Sequence, residues 1–167
     1  QEEARSITIA GGGRVGYKLA SLLEGNNHVK IIEKNPERAK FIAEKLESAI
    51  VLKGDSGDDA LLKEENIENC DVFVTTTNSE EANLFSAMVA KKMGAKKVMA
   101  IANKDSYSGL AETGTIDIAI SAEQITTSAL LSHVRKGDVV TVHSLKRGDA
   151  EALEAIAHDH DESNAVG

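Results

Sequence analysis

Six consecutive residues, Gly11-Gly12-Gly13-Arg14-Val15-Gly16, fit the spacing G-x-G-x-x-G directly after an apolar run and at the opening of a segment with helical period. In that setting each spaced glycine does something a side chain would prevent. Gly11 permits a tight turn out of a strand, Gly13 lets an anion approach the main chain, and Gly16 lets the helix lie close to the strand. The first-turn amides of such a helix have no partners inside it and carry the positive end of its dipole, so they suit a phosphate or diphosphate. Gly12, Arg14 and Val15 complete the expected cradle. The same residues fail as a P-loop, because Tyr17-Lys18 follow Gly16 where lysine and then serine or threonine are required.

Glu33 supplies the second piece of chemistry. It ends the next apolar run, about 20 residues past Gly13, where a carboxylate accepts both hydroxyls of an adenosine ribose. Its charge also repels the 2′-phosphate of NADP, so NAD or NADH is the expected ligand. Lys34 and Arg38 stand close by, and side chains of this kind usually occupy a solvated helix face. Asp55, in Gly54-Asp55-Ser56, falls at the same sheet edge and has two readings. Either it accepts from an adenine amine while Ser56 opens the next helix, or it is a plain N-cap. In Thr75-Thr76-Thr77-Asn78, Thr76 and Thr77 are expected to line the ligand's far side, with Asn78 or Ser79 capping the helix that follows.

Other chemistry is excluded residue by residue. The acidic run 55–59 has its glycine misplaced for a calcium loop and Asn66 where a glutamate is required. His158-Asp159-His160-Asp161-Glu162 reads as a solvated charge run, and Cys70 as a small buried hydrophobe. Hydride transfer needs a positioned acid or base. Neither Tyr17 nor Tyr107 has a lysine four residues on, and His28, His133, His143, His158 and His160 lie outside the loops expected to line the pocket. The residues therefore point to binding without catalysis; the competing reading is a small NAD-dependent oxidoreductase or the cofactor half of one.

These groups need a scaffold, and the rest of the chain describes one. Apolar runs at 6–10, 28–32, 49–53, 71–75, 97–102 and 116–121 alternate with helical segments at 15–24, 36–45, 59–65, 80–93 and 107–112. The alternation predicts an α/β fold, a Rossmann-type doubly wound parallel sheet of about six strands. Pro36 suits a first helical turn behind a capping Asn35, and Gly94 suits a left-handed C-terminal cap. The segment 80–93 is apolar on most sides and is expected to be sandwiched in the core. A helix at 122–134 carries an apolar stripe through Ile125, Ala129, Leu130 and Val134 that needs something to cover. Beyond it, 138–145 reads as a strand, 151–157 as a short helical piece and 158–167 as a polar tail.

Bulk properties agree. With 167 residues and 41% hydrophobic content the chain can bury a core as one unit. A single cysteine excludes a disulfide framework and suits a reducing cytoplasm. No apolar run approaches the roughly 20 residues of a membrane span, so no direct membrane insertion is expected. A net charge of −8 disfavours nucleic acid. The ends lack the features of natural termini, and the sequence reads as part of something longer.

The glycine loop, Glu33 with 35–39, Gly54-Asp55, the run 77–83, the run 90–98 and the run 133–140 together resemble the RCK (TrkA-N) domain of potassium transport regulators. The likeness covers nearly all of residues 6–157, and is closest to the second domain of regulators that carry two in tandem. It implies a cytoplasmic homo-oligomer, a dimer or larger ring, docked on a membrane potassium channel or transporter at the inner face of the cell membrane. NAD, NADH, ATP or ADP would bind at the glycine loop. By the same resemblance, 1–137 is the nucleotide-binding domain, the 122–134 helix pairs subunits, and 138–167 is the start of a truncated C-terminal subdomain and a polar tail. Many members carry an arginine at the end of the fifth strand that reaches the phosphates. Here Ala100-Ile101-Ala102-Asn103 has none, which implies weaker phosphate affinity.

Overall fold

The computed structural model describes residues 5–103, 109, 114–121 and 127–136. Along them run β1 (Ser6–Ala10), α1 (Arg14–Leu23), β2 (His28–Glu33), α2 (Pro36–Lys45), β3 (Ile50–Lys53), α3 (Asp59–Glu64), a 3₁₀ turn (Ile67–Asn69), β4 (Val72–Thr75), α4 (Glu80–Met93), β5 (Lys97–Ile101), β6 (Ile118–Ile120) and α5 (Thr127–Lys136). All five strand pairings are parallel, in the order β3-β2-β1-β4-β5-β6. The strand order reverses direction between β1 and β4, and ligands of doubly wound sheets bind at the carboxyl edge of that switch point. The expected doubly wound sheet is therefore present, with β6 shorter than its apolar run. All but Gly109 of the expected helix 107–112, the start of the 122–134 helix, the strand 138–145, the piece 151–157 and the tail lie outside the described residues.

Helices cover both faces, so the central strands are buried on both sides. Every residue of β4, β5 and β6 is buried. Ile7, Ile9, Ile31, Val72 and Val74 pack with Leu19, Ile42, Leu130 and Val134 on one face. Ile32, Phe73 and Val98 pack with Leu62, Ala87 and Ala90 on the other. The period of two along each strand thus divides the core between α1, α2 and α5 on one side and α3 and α4 on the other.

One helix departs from expectation, and a second can be followed over its described part. On α4 the buried positions are Asn83, Ser86, Ala87 and Ala90, while Phe85 is 57% exposed, so the helix is not an apolar rod buried all round. Its inner face takes small residues because the helix lies close to the sheet, and two of them are polar because they reach the loops at the sheet's carboxyl edge. On α5 the described part of the apolar stripe, Ala129, Leu130 and Val134, is buried within this chain. Its carboxyl end is held by two cations: Lys97 Nζ donates to the His133 carbonyl at 2.8 Å and Arg5 Nη2 to the Arg135 carbonyl at 2.6 Å. Both placements satisfy carbonyls that the last helical turn leaves without partners.

Candidate nucleotide-binding site

An open cleft of about 1040 Å³ lies at the carboxyl edge of the sheet. Gly11, Gly13, Arg14, Val15, Glu33, Asp55, Thr76 and Thr77, all singled out in the sequence, line it. Gly12 and Gly16 do not, and the reason is close packing.

Gly11 continues the sheet by donating to the Ile32 carbonyl at 2.8 Å, then turns with φ +112°, in the region that favours glycine. A Cβ on Gly16 would stand 1.9 Å from the Gly11 oxygen, so α1 can approach β1 only with glycine there. A Cβ on Gly12 would meet Ile42 Cδ1 at 2.6 Å. Gly12 is buried behind the loop and spends both backbone groups on β2 and α2: its N–H donates to Glu33 Oε1 at 2.7 Å, and its carbonyl accepts from Arg38 Nε at 2.6 Å. Gly13 is the opposite case, exposed, with nothing within 4 Å of where a Cβ would lie.

The amino end of α1 is the feature on which ligand chemistry turns. Asn35, Asp58 and Ser79 each accept from a first-turn amide and cap α2, α3 and α4. At α1 the N-cap is Gly13, no side chain caps the turn, and no acidic residue sits in it. A cap is worth about 1 kcal/mol. The helix that opens on the cleft is thus left with unpaired amides and an uncompensated positive dipole end, where an anion is favoured. The room at Gly13 and this donor set fit a diphosphate.

Glu33 is pinned beside the loop, Oε1 by the Gly12 amide and Oε2 by the Asn35 amide, each at 2.7 Å. Each carboxylate oxygen has a second lone pair, enough for the two hydroxyls of a ribose. Arg38 is not the solvated charge its place on α2 suggested. Half-buried, it reaches back to Gly12 and lies over Phe41 and Tyr17, 5.1 and 5.9 Å from the ring centroids. Lys34 does remain in solvent, 82% exposed, 3.7 Å from Asp55. Asp55 caps no helix: its Oδ1 accepts from the Gly57 amide at 2.8 Å, and Asp58 caps α3 instead. Ser56 does not open α3 either, and its hydroxyl pairs with that of Ser86 at 2.9 Å.

The β4 and β5 end of the cleft is wired internally. Thr76 Oγ1 donates to the Gly11 carbonyl at 3.0 Å, so this buried hydroxyl holds the glycine loop. Thr77 Oγ1 donates to Asn83 Oδ1 at 2.6 Å and accepts from the Ser79 amide at 3.2 Å. Asn83, which sequence reasoning did not single out, also donates to the Thr77 and Ile101 carbonyls at 2.9 and 3.0 Å. Its signal was a polar residue in phase with Ala87 and Ala90, on the inward face of α4. Ile101 stands at the β5 edge of the cleft, where the resemblance looked for an arginine.

Away from the cleft, burial pushes the Cys70 thiol up in pKa, against nearby hydrogen bonds, which keeps it a neutral core residue. Asp71 accepts from the Ser6 amide at 2.8 Å and pairs with Lys96 at 3.1 Å. That backbone hydrogen bond first, then Lys96, holds its carboxyl below the ordinary value despite partial burial.

A doubly wound parallel sheet whose glycine loop, open helix end and pinned acid share one edge is a Rossmann-type domain of the nucleotide-binding class. Within that class the chain belongs to the TrkA-N domain family, whose model matches residues 7–122. It is similar to the Trk system potassium uptake protein TrkA of Vibrio alginolyticus, 53% identical over 164 residues, which cover 98% of this chain and 36% of that protein. The protein of the same name from Halomonas elongata is 49% identical over 166 residues, covering 99% of this chain and 36% of that one. The chain thus spans little more than a third of the length of these relatives. Among solved structures, the GsuK channel bound to NAD aligns over 74% of this chain and 22% of its own, with TM-score 0.61 and 15% identity. The TrkA-N domain of inner membrane protein ybaL from Escherichia coli aligns over 74% and 92%, with TM-score 0.62 and 16% identity. At those identities the structural matches speak for the fold alone. No helix among the described residues is long and apolar enough to cross a membrane.

Proposed function

We propose that this chain is the regulatory nucleotide-sensing domain of a Trk-type potassium uptake system. It takes NAD or NADH at the glycine loop, with ATP or ADP able to use the adenosine half of the same cleft. It acts as a peripheral cytoplasmic subunit on the inner face of the cell membrane, assembled as a dimer or larger ring through the region of α5, and biases a membrane potassium transporter. The names of its relatives support the transport role. The uncapped amino end of α1 beside Glu33 carries the ligand reading.

Binding without turnover is supported by what lines the cleft. Its carboxylates, Glu33, Glu37 and Asp55, all lie toward β2 and β3. The opposite end presents Thr76, Thr77, Asn78, Ser79, Ala82 and Ile101, and none of these side chains titrates near neutral pH. Among the described residues, a second nucleoside held there meets hydroxyls, methyl groups and an amide, with no general acid or base in the lining.

Gly13→Val tests the reading cleanly, because open space surrounds Gly13 and its φ of −72° suits any residue. Calorimetric titration with NADH is expected to show binding to the wild type and a loss of about tenfold or more, about 1.4 kcal/mol, in the variant. Its melting temperature should be lower by only about 2–4 °C, because valine is a poorer N-cap than glycine. Equal affinity in the two proteins, or no heat at millimolar ligand, would overturn it.

A further inference from the structure

Asn83 lies on the first turn of α4 with 1% of its surface exposed. Its Oδ1 accepts from the amide and hydroxyl of Thr77, at 2.9 and 2.6 Å, and its Nδ2 donates to the carbonyls of Thr77 and Ile101, at 2.9 and 3.0 Å. Both N–H groups and the oxygen of the amide are thus fully used, a demand that few other side chains of this size can meet. The described ladder between β4 and β5 ends at Thr75 paired with Ala100. Thr77 and Ile101 lie beyond it, so both main-chain groups of Thr77 and the carbonyl of Ile101 rely on a side chain where a longer ladder would supply partners. Both residues line the cleft, yet Asn83 does not.

We propose that Asn83 is a positioning residue that fixes the β4 and β5 walls of the cleft and thereby decides how much better a dinucleotide binds than a nucleoside diphosphate. The inference rests on the dinucleotide reading of the site. With Glu33 gripping the adenosine ribose, the second nucleoside extends across the switch point, over Thr76, Thr77 and Ile101. ADP fills only the half built by the glycine loop, Glu33 and the β3 loop. Loosening Thr77 and Ile101 therefore acts on NADH and leaves ADP untouched.

The test compares calorimetric affinities of NADH and ADP for the wild type, Asn83→Ala and Asn83→Ser, with thermal melts alongside. Serine retains one buried hydroxyl, and its lesser disruption keeps the test available should the alanine variant fail to fold. The expected result is NADH binding weakened by about tenfold, in line with the loss of several buried hydrogen bonds, with ADP affinity held within about twofold. An unchanged ratio of the two affinities overturns the proposal, whether both stay intact or both fall together as a purely structural role would require. A wild type that binds ADP but gains nothing from the second nucleoside overturns it as well. If the wild type binds neither ligand, the dinucleotide reading itself is lost, an outcome recognisable without any variant.

Discussion

The two ends of the cleft are built on opposite plans. At the α1 end the main chain is left open: Gly13 has no neighbours where a side chain would be, and no residue caps the helix. At the β4 and β5 end the polar groups are already spoken for, with Thr76 bonded to Gly11, Thr77 to Asn83, and Asn83 to Ile101. An open donor set gives a ligand its binding energy, since pairing it costs the protein no internal hydrogen bond. A satisfied network gives shape, since displacing it leaves buried groups without partners, at about 1–3 kcal/mol each. The comparison assigns affinity to the first end and discrimination to the second.

The largest effect that would break this comparison comes from Gly16→Ala. The added methyl would collide with the Gly11 carbonyl, a backbone atom that cannot step aside. The expected cost is roughly 3 kcal/mol or more, read as a melting midpoint lower by about 10 °C, together with loss of binding. A variant as stable as the wild type would mean that α1 and β1 are not in this close contact.

Glu33→Ala comes next and sharpens the distinction between the ends. It removes the proposed ribose acceptor and frees the Gly12 and Asn35 amides that the carboxylate pins. Charge-assisted hydrogen bonds of this kind contribute about 1.5–3 kcal/mol, so NADH and ADP should both weaken by about 10- to 100-fold. The shared loss is what separates an adenosine-side residue from Asn83, and calorimetry on the same two ligands distinguishes them. Loss confined to NADH would place Glu33 at the wrong end.

The smallest effect concerns a region outside the cleft. Asp71 has a folded pKa below its ordinary value of 3.8, through the Ser6 amide and Lys96. Because the folded value is the lower one, the stability it contributes is complete above about pH 3.8 and is lost as pH falls through the folded value. Asp71→Asn should therefore flatten the acid limb of a melting series carried from about pH 5 down to about pH 2, with little change in nucleotide affinity. A retained acid limb of the same steepness would locate the titrating group elsewhere.

How much of this was legible in the sequence follows from the same contrast. The glycine loop, Glu33 and the alternation of strands and helices are local patterns, and the structure sets them where their spacing requires. Asn35, Ser79 and Gly94 act as the expected caps for the same reason. What local reading missed depends on which elements meet in space. Gly12 sits inside the consensus yet faces Ile42 and Glu33, because α2 closes over the loop. Arg38 stands where the sequence suggests a solvated charge, but the neighbouring rings and the Gly12 carbonyl draw it inward. Asn83 lies in a segment whose apolar composition suggested a plain core helix, and its role appears only once α4 is packed under the ends of β4 and β5.

The most direct measurement is a crystal structure of the domain grown with NADH. The diphosphate is predicted to lie against the Gly13, Arg14 and Val15 main chain at the amino end of α1, with both hydroxyls of the adenosine ribose on Glu33. A nucleotide seated elsewhere, or Glu33 turned to solvent with ligand present, would contradict the account.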